Sequence, residues 1–502
     1  MILKPSAQDF KKIGYYIGKI IIGLSLVMLI PVIVALANRE INPALDFLIG
    51  LEIGLILGII LTRFCSPQQD LGWMQGMVVV SFSWLVATIL GAIPLYLSGH
   101  WNSFLDACFD AMSGFTTTGL ALVQDLDHIS LAHNLWRHLI IFIGGQGIVI
   151  IALSFFAKAA ASGAFRLYVG EARDERIMPN VISTARFIWS VSIAYLVLGT
   201  FGLGISGVLN GMRPTSAFFH GLCVFMAAFD TGGFAPQSQN ILYYHNPSLE
   251  IVIMIIMILG TINFRLHYNL WSGNAKEIFR NIEIRTFFFA VIITFLFVVA
   301  GLTQHLVYPC GMVLFRKGFF QLLSAQTGTG YMTIYAQQFL REWGDLALVG
   351  IIGAMALGGA VCSTTGAIKM LRIGIIFKAF CQHIKKIILP EGAIFSEKIH
   401  HIKEVFLDDK IALSASLITL AYLLLYVIGA IVGVFYGYPF LYSLFESTSA
   451  SANVGLSCGI TRPDMPLFLK LTYMFQMWAG RLEFISAFTL IGFFWALLKG
   501  KR

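Results

Sequence analysis

The chain is 502 residues long, 57% hydrophobic and 12% charged, with 42 phenylalanines. A soluble domain carries about 25% charged residues, so this composition excludes an ordinary soluble protein and reads as a polytopic membrane protein. The net charge of +8 is assigned by the positive-inside rule to cytoplasmic loops, not to nucleic acid.

In chain order, apolar runs at Ile20–Leu36, Phe47–Leu61, Val78–Leu97, Ile251–Gly260 with its flanks, Phe287–Leu302 and Ile411–Phe435 approach or exceed the roughly 18 residues of a bilayer span. Basic clusters fall after every second span. They are Lys4 to Lys19, Lys158 to Arg186, Lys276 to Arg285, Lys378 to Lys410 and Lys499 to Arg502, and they predict that both termini are cytoplasmic. The basic N-terminus lacks an A-x-A cleavage pattern, so no removed signal peptide is expected. The seven cysteines show no CxxC pair or metal-ligand spacing and read as small apolar fillers.

Four segments stack on one glycine: "FTTTGL" (Phe115–Leu120), "FDTGGF" (Phe229–Phe234), "QTGTGY" (Gln326–Tyr331) and "SANVGL" (Ser451–Leu456). The shared glycines are Gly119, Gly233, Gly330 and Gly455, roughly 100 to 125 residues apart. Six residues before each glycine lie Ser113, Ala227, Ser324 and Ser449. Five before lie Gly114, Ala228, Ala325 and Ala450, so all eight are small. About a dozen half-apolar residues precede each glycine, too few to span and suited to a re-entrant helix. Further on, Gly145, Gly260, Gly358 and Gly480 interrupt the following span. Each unit thus reads as span, short helix, glycine loop, span. Two leading spans bring the expectation to ten spans with four re-entrant helices. The expected fold class is an all-α integral membrane protein with four pseudo-repeated units around a central pore. The boundaries are 1–70 for the two leading helices, then 71–165, 166–284, 285–400 and 401–502 for the four units.

Non-helical backbone is tolerated at membrane depth only where it is buried in protein or lines a watery path. Four such loops around one axis can replace the hydration shell of a cation with carbonyl oxygens, and glycine permits the backbone angles this needs. The candidate cation-binding residues are Thr116, Thr117, Thr118 and Gly119; Asp230, Thr231, Gly232 and Gly233; Thr327, Gly328, Thr329 and Gly330; and Ala452, Asn453, Val454 and Gly455. Hydroxyls of Thr116, Thr117, Thr231 and Thr329 are candidate extra ligands. The short helices precede the loops, so their negative C-terminal ends point toward the axis and favour cations. Asp110 and Glu446 occupy matching short-helix positions. They either brace the loops or attract ions, or simply accept bonds from nearby backbone.

"GGAVCSTTGAIK" (Gly358–Lys369) is rich in small and hydroxyl residues and predicts a helix break. Lys369 next to it either faces a watery cavity and repels cations or snorkels to the cytoplasmic edge. Arg265 and His267 read as packing or interfacial groups, and His400 and His401 as solvated.

Taken together, these stretches resemble the TrkH/KtrB superfamily of potassium transporters. "SGFTTTGL", "FDTGGFAP", "QTGTGY" and "SANVGLS" look like its four filter segments. "GGQGIVIIAL" (Gly144–Leu153) and "TINFRLHY" (Thr261–Tyr268) look like its inner-helix motifs. The two leading spans match the TrkH/TrkG branch. The resemblance implies potassium uptake across the bacterial inner membrane, a homodimer with one pore per subunit, and a cytosolic TrkA-type nucleotide-binding ring. That ring, not this chain, would bind nucleotide; no Walker A loop or strand–GxGxxG–helix is present here. The resemblance makes 358–369 an intramembrane gate, with Gly358, Gly359, Ser363, Thr364, Gly366 and Lys369 as its residues. It makes Arg481 a positive barrier in the pore. Val361 and Ala367 stand where the family pattern has smaller residues. Glu483 is not expected to pair with Arg481, since residues two apart do not face each other on a helix. The charged loop of about Lys378 to Lys410 is expected to contact the ring. A sodium-permeable or weakly selective relative, or a symporter, stays open as the alternative. Neither HxxxD nor HExxH occurs, so an enzyme is not expected.

Overall fold

In the computed structural model the chain is described over residues 4–65, 71–148, 166–169, 171, 181–390 and 395–500. Parts of the basic loop of Lys158 to Arg186 and of the "GGQGIVIIAL" motif lie outside these residues.

Two leading helical spans come first. One is α1 (Ala7–Val27) continued by α2 (Leu29–Ala37), the other α3 (Ile41–Phe64). Ser6 and Asp9 start α1 with a capping box. A Cβ on Gly18 would lie 2.9 Å from the Gly58 carbonyl oxygen, and one on Gly58 the same distance from that of Gly18. The two backbones therefore touch, as small residues allow in membrane helix pairs.

Four units follow, each with an outer helix, a short helix, a loop and an inner element. Unit one is α4 (Trp73–Leu97), α5 (Phe104–Phe115) and α6 (Leu131–Gln146). Unit two is α7 (Val181–Leu209), α8 (Pro214–Phe229) and α9 (Pro247–Thr261) with α10 (Phe264–Trp271), followed by α11 (Lys276–Arg280). Unit three is α12 (Ile282–Gln304), α13 (Gly311–Gln326), the small α14 (Ala336–Arg341), α15 (Gly344–Ala356) and α16 (Met370–Ile388). Unit four is α17 (Asp409–Phe435), α18 (Phe440–Ser451), and α19 (Leu467–Arg481) with α20 (Ile485–Lys499). The short helices α5, α8, α13 and α18 have 12 to 16 residues, about 18–24 Å, less than the roughly 30 Å hydrocarbon core.

The inner elements break close to the small residues read as interrupting them, and two of them bend sharply. α9 and α10 meet at 104°, and α19 and α20 at 113°. α15 and α16 are separated by the non-helical stretch 357–369. By length and composition the described residues hold six spans, or eight counting each bent pair as one. The other two inner elements of the expected ten, α6 and α15, are helices of 16 and 13 residues. Close backbone contact accounts for the small residues here. Cβ atoms on Gly144, Gly260 and Gly480 would lie 1.8–1.9 Å from the carbonyl oxygens of Phe115, Phe229 and Ser451. In unit one the contact residue is thus Gly144 rather than the expected Gly145, which packs on Asp230.

One antiparallel hairpin, β1 (Lys398–His401) and β2 (Lys403–Phe406), sits in the charged segment after α16. His400 and His401 are not simply solvated: both rings are mostly buried, at 2.7 Å from Glu277 and 3.7 Å from Glu283. Large apolar side chains such as Phe288, Phe289 and Leu296 on α12 are exposed, a surface suited to lipid and costly in water.

Candidate functional site: four loops closed into a ring

Each short helix ends the same way. In unit one Thr117 N donates to Gly114 O (3.0 Å) and Thr118 N to Ser113 O (2.7 Å). The equivalent pairs are Thr231–Ala228 and Gly232–Ala227, Gly328–Ala325 and Thr329–Ser324, and Asn453–Ala450 and Val454–Ser449. These are Schellman ends, which require a left-handed residue after the cap. Thr117, Thr231, Gly328 and Asn453 supply it, with φ of 53°, 52°, 72° and 56°. The eight small residues picked out in the sequence are the acceptors. Because N–H and C=O oppose each other across a trans peptide, tying these N–H groups back to the helix ends turns the preceding carbonyls the other way.

Two residues later the shared glycines interlock. All four have positive φ: Gly119 93°, Gly233 62°, Gly330 79° and Gly455 91°. A Cβ on Gly119 would lie 2.5 Å from Gly232 O, on Gly233 2.1 Å from Thr329 O, on Gly330 1.9 Å from Val454 O, and on Gly455 2.1 Å from Thr118 O. Each glycine thus presses on the carbonyl that precedes the glycine of the next unit, and the fourth returns to the first. The ring is closed in chain order, and any side chain at these positions would open it.

Outside the ring a second repeated bond holds the loops. Nine residues before the glycine, Asp110 Oδ1 accepts from Leu122 N (2.5 Å), Gln321 Oε1 from Thr333 N (2.8 Å) and Glu446 Oε1 from Cys458 N (2.9 Å). Each donor lies three residues after its glycine. Unit two has Val224 there, and its partner position is Pro236, which has no N–H to satisfy. Asp110 and Glu446 are therefore braces. Glu446 also accepts from Gly459 N, Ile460 N, Ser457 Oγ and Thr461 Oγ1.

The hydroxyls of Thr116 and Thr327 are turned back onto their own helices. Thr116 and Thr327 Oγ1 donate to Met112 O and Leu323 O and touch Thr118 and Thr329 Oγ1 at 2.8 and 2.9 Å. Asn453 Nδ2 donates to Thr118 Oγ1 (2.9 Å). Asp230 and Ala452 cap their helices at the position of Thr116, and Asp230 Oδ1 accepts from Gln146 Nε2 (2.7 Å). Backbone oxygens, rather than hydroxyls, are what the four loops share.

The stretch 357–369 crosses beneath the ring. Thr364 Oγ1 donates to Phe229 O (3.0 Å) or Gly260 O (2.9 Å) and approaches Thr231 Oγ1 at 3.4 Å, all in unit two. On the opposite side a Cβ on Gly366 would lie 2.4 Å from Ala452 O in unit four. Internal bonds shape the stretch: Gly358 N to Ile368 O, Gly359 N to Thr365 Oγ1, and Ser363 Oγ to Ala360 O. Ala367 has φ 60°, the conformation in which glycine is favoured, which gives the smaller residue of the family pattern a physical reason. Val361 N donates to Glu283 Oε1 (2.7 Å).

Arg481, at the end of α19, joins these parts. It donates to Thr117 Oγ1 (3.2 Å), Gly144 O (2.8 Å) and Thr364 O. Glu483 pairs with Arg372; it lies past the end of α19 with φ 48°, so the helical spacing to Arg481 does not apply. Lys369 is buried and donates to Thr365 O, so it does not snorkel to the edge. Lys369, Arg481, Glu483 and Thr365 line a cavity of about 30 Å³, room for about two waters. The lining combines two cations, Lys369 and Arg481, with two carboxylates, Glu171 and Glu483, and the hydroxyls of Ser363 and Thr365.

The family model described as TrkH, cation transport protein, matches residues 55–493. The chain belongs to the TrkH family. Its relatives include an uncharacterized cation transporter of Methanocaldococcus jannaschii, 31% identical over 490 residues and 97% of each chain. Another is the Trk system potassium uptake protein TrkG of Escherichia coli, 28% identical over 94% of this chain and 96% of that one. The crystal structure of the potassium transporter TrkH from Vibrio parahaemolyticus has the same fold, with a TM-score of 0.81 over 96% of this chain and 98% of that one at 22% identity. As a member of the TrkH family the chain is a membrane transport protein and not an enzyme.

Two ion pairs between units carry no local sequence signal beyond a charge inside an apolar segment. Lys470 of α19 meets Asp106 of α5 at 2.6 Å, and Arg316 of α13 holds Glu250 of α9 through two bonds of 2.6 and 2.7 Å. They staple unit four to unit one and unit two to unit three.

Proposed function

We propose that the chain is a potassium-uptake transporter in which the glycine ring is the selectivity filter. The observation that carries this is the closed contact of Gly119, Gly233, Gly330 and Gly455 with the preceding carbonyls of the neighbouring units. A dehydrated cation needs several fixed oxygens at once, and backbone carbonyls held by helix ends supply them without moving. The potassium assignment is supported by the names of the TrkG and TrkH relatives.

The filter residues are those of the four loops, 116–119, 230–233, 327–330 and 452–455. The stretch 357–369 is the gate, with Gly358, Gly359, Ser363, Thr364, Gly366 and Lys369 as its working residues, and Arg481 is the electrostatic barrier. The repeat boundaries are those read from the sequence. The protein works in the cell membrane with both termini cytoplasmic, as a homodimer with a TrkA-type ring that binds the regulatory nucleotide. Of the charged segment expected to face that ring, the hairpin at β1 and β2 is the part closest to the gate, through His401, Glu283 and Val361.

Reconstitution in liposomes with measurement of potassium, rubidium and sodium flux tests the proposal. Potassium and rubidium flux well above that of sodium is expected. Equal sodium flux would shift the reading to a weakly selective cation transporter. No monovalent flux, with and without a regulatory partner and nucleotide, would sink it.

A further inference from the structure

A cavity of about 600 Å³ lies between α12, α16 and the hairpin, away from the ring. On α12 its lining runs Arg285, Phe289, Ile293, a spacing of four that forms one stripe. Along that stripe the character changes from basic to apolar within about 12 Å. On α16, which runs the opposite way, Lys378 lies at the basic end and Ile373 at the apolar end. Phe289, Ile293 and Phe377 are each more than half exposed, so the apolar part opens toward lipid. Arg280, Arg285, Lys378 and Lys398 crowd the other end with Glu404 as the one carboxylate in the lining. Glu404 is engaged by Lys398 at 3.3 Å and Lys378 approaches Glu397 at 3.5 Å. Among the described residues Arg280 and Arg285 have no carboxylate within ion-pair distance.

We propose that this groove binds a diacyl phospholipid with an anionic headgroup, drawn from the cytoplasmic leaflet. An apolar slot that opens to the hydrocarbon and ends in a basic cluster, with Arg280 and Arg285 outside any ion pair among the described residues, matches the two halves of such a molecule. A neutral or zwitterionic lipid would fill the slot but leave the guanidinium groups of Arg280 and Arg285 without a counter-charge. The deep end of the groove is Leu357, the first residue of the stretch beneath the ring, and its carbonyl accepts from Gln326 Nε2 at 2.6 Å. A bound acyl chain therefore packs on the root of that stretch. The proposal goes beyond the ion reading and holds whichever cation crosses.

The test is native mass spectrometry of the full-length protein in mild detergent with equimolar phosphatidylglycerol and phosphatidylcholine. Preferential retention of phosphatidylglycerol is expected. The double variant Arg285→Gln/Lys378→Gln should lose about 30-fold of that preference, from about fivefold per basic residue near an anionic surface. Ala290→Trp, which fills the apolar slot, should abolish retention of both lipids. The control Lys317→Gln/Arg341→Gln, on the opposite side of the membrane, should change nothing. A melting curve for each variant separates lost binding from lost fold, and a poorly folded double variant leaves Ala290→Trp to decide. Equal retention of the two lipids, or an unchanged preference in the double variant, overturns the proposal. So does displacement of phosphatidylglycerol by inorganic phosphate, which would mark a headgroup-only site. Efficient cross-linking of Phe289→Cys between two copies in liposomes would give the groove to a second subunit and overturn it too.

Discussion

Replacing Gly330 by Ala while leaving Gly328 as a matched control isolates the ring from general glycine effects. Both glycines are buried, both have positive φ (79° and 72°), and they are two residues apart. A Cβ on Gly330 would sit 1.9 Å from the Val454 carbonyl oxygen. Ordinary contact begins near 3.4 Å, so one backbone must retreat by about 1.5 Å. Binding constellations tolerate about 0.5 Å, and the obstacle is backbone, not a side chain that can rotate away. A Cβ on Gly328 would meet nothing nearer than Asn453 O at 3.7 Å. Its equivalents Thr117, Thr231 and Asn453 already carry side chains in the same conformation. Gly328→Ala therefore costs only the left-handed backbone, about 1–2 kcal/mol. In liposomes with equal amounts of folded protein, Gly330→Ala should lower potassium flux more than about tenfold, a loss of over about 1.4 kcal/mol, and erode selectivity over sodium. Gly328→Ala should stay within about twofold, since its strain falls on the whole fold and not on the carbonyl ring. Wild-type flux and selectivity in Gly330→Ala, or an equal collapse in both, would refute the reasoning.

Arg481→Gln removes a guanidinium that binds Thr117, Gly144 and Thr364. Potassium flux without the regulatory partner should rise, and unchanged flux at equal protein would remove the barrier role. Ala367→Gly relieves a left-handed alanine at φ 60°; a gain of about 1 kcal/mol is expected as a higher melting midpoint, whereas a lower one would contradict the observed loop conformation. Glu446→Ala removes the carboxylate oxygen that accepts from three backbone N–H groups, and should destabilise by about 3 kcal/mol in thermal unfolding. Wild-type stability would mean the brace is dispensable. At the hairpin, the hydrogen bond from Lys385 holds the Glu397 carboxyl below its ordinary value of 4.5. A depressed carboxylate contributes fully above that value and loses its contribution as pH falls through the lowered one. Protease cleavage near the hairpin should therefore increase only on acidification below about pH 4.5, and a change already at pH 6 would implicate another group.

The four-unit plan was legible because its key positions admit few residue types. A left-handed backbone pressed on a neighbouring carbonyl leaves only glycine, so Gly119, Gly233, Gly330 and Gly455 align without any structure. Asp110 and Glu446 were legible as aligned polar positions, but the choice between brace and ion attractor depended on where Leu122 N and Cys458 N lie. The breaks after Thr261 and Arg481 were legible as interruptions at Gly260 and Gly480, but their sharp angles were not, because hydropathy sums over a bend as readily as over a straight helix. The hairpin was hidden inside a charged segment whose short strands carry no alternating apolar pattern. The partners of Lys470 and Arg316 lie 364 and 66 residues away, and nothing local encodes such distances. Whether a threonine hydroxyl faces the axis or its own helix is not encoded locally: Thr116 and Thr327 donate to Met112 O and Leu323 O, while Thr117 accepts from Arg481.

The ring has near-fourfold regularity, but what lies beneath it does not. Among the described residues, unit three alone sends a stretch, 357–369, across the axis, and unit four supplies the arginine that meets it. Hydrogen bonds that hold the stretch to other units include Ala360 N to Thr261 O, Thr364 N and Oγ1 to Gly260 O and Phe264 N to Cys362 O in unit two, and Arg481 to Thr364 O in unit four. At about 0.5–1.5 kcal/mol each, they total a few kcal/mol. A ligand or partner must supply about 5.5 kcal/mol of differential affinity to swing a two-state element from 1:99 to 99:1. The anchoring of the stretch is of that order, so under the proposed gate reading it is within what one regulatory partner can offset, whereas a fourfold set of such stretches would multiply the anchoring beyond that.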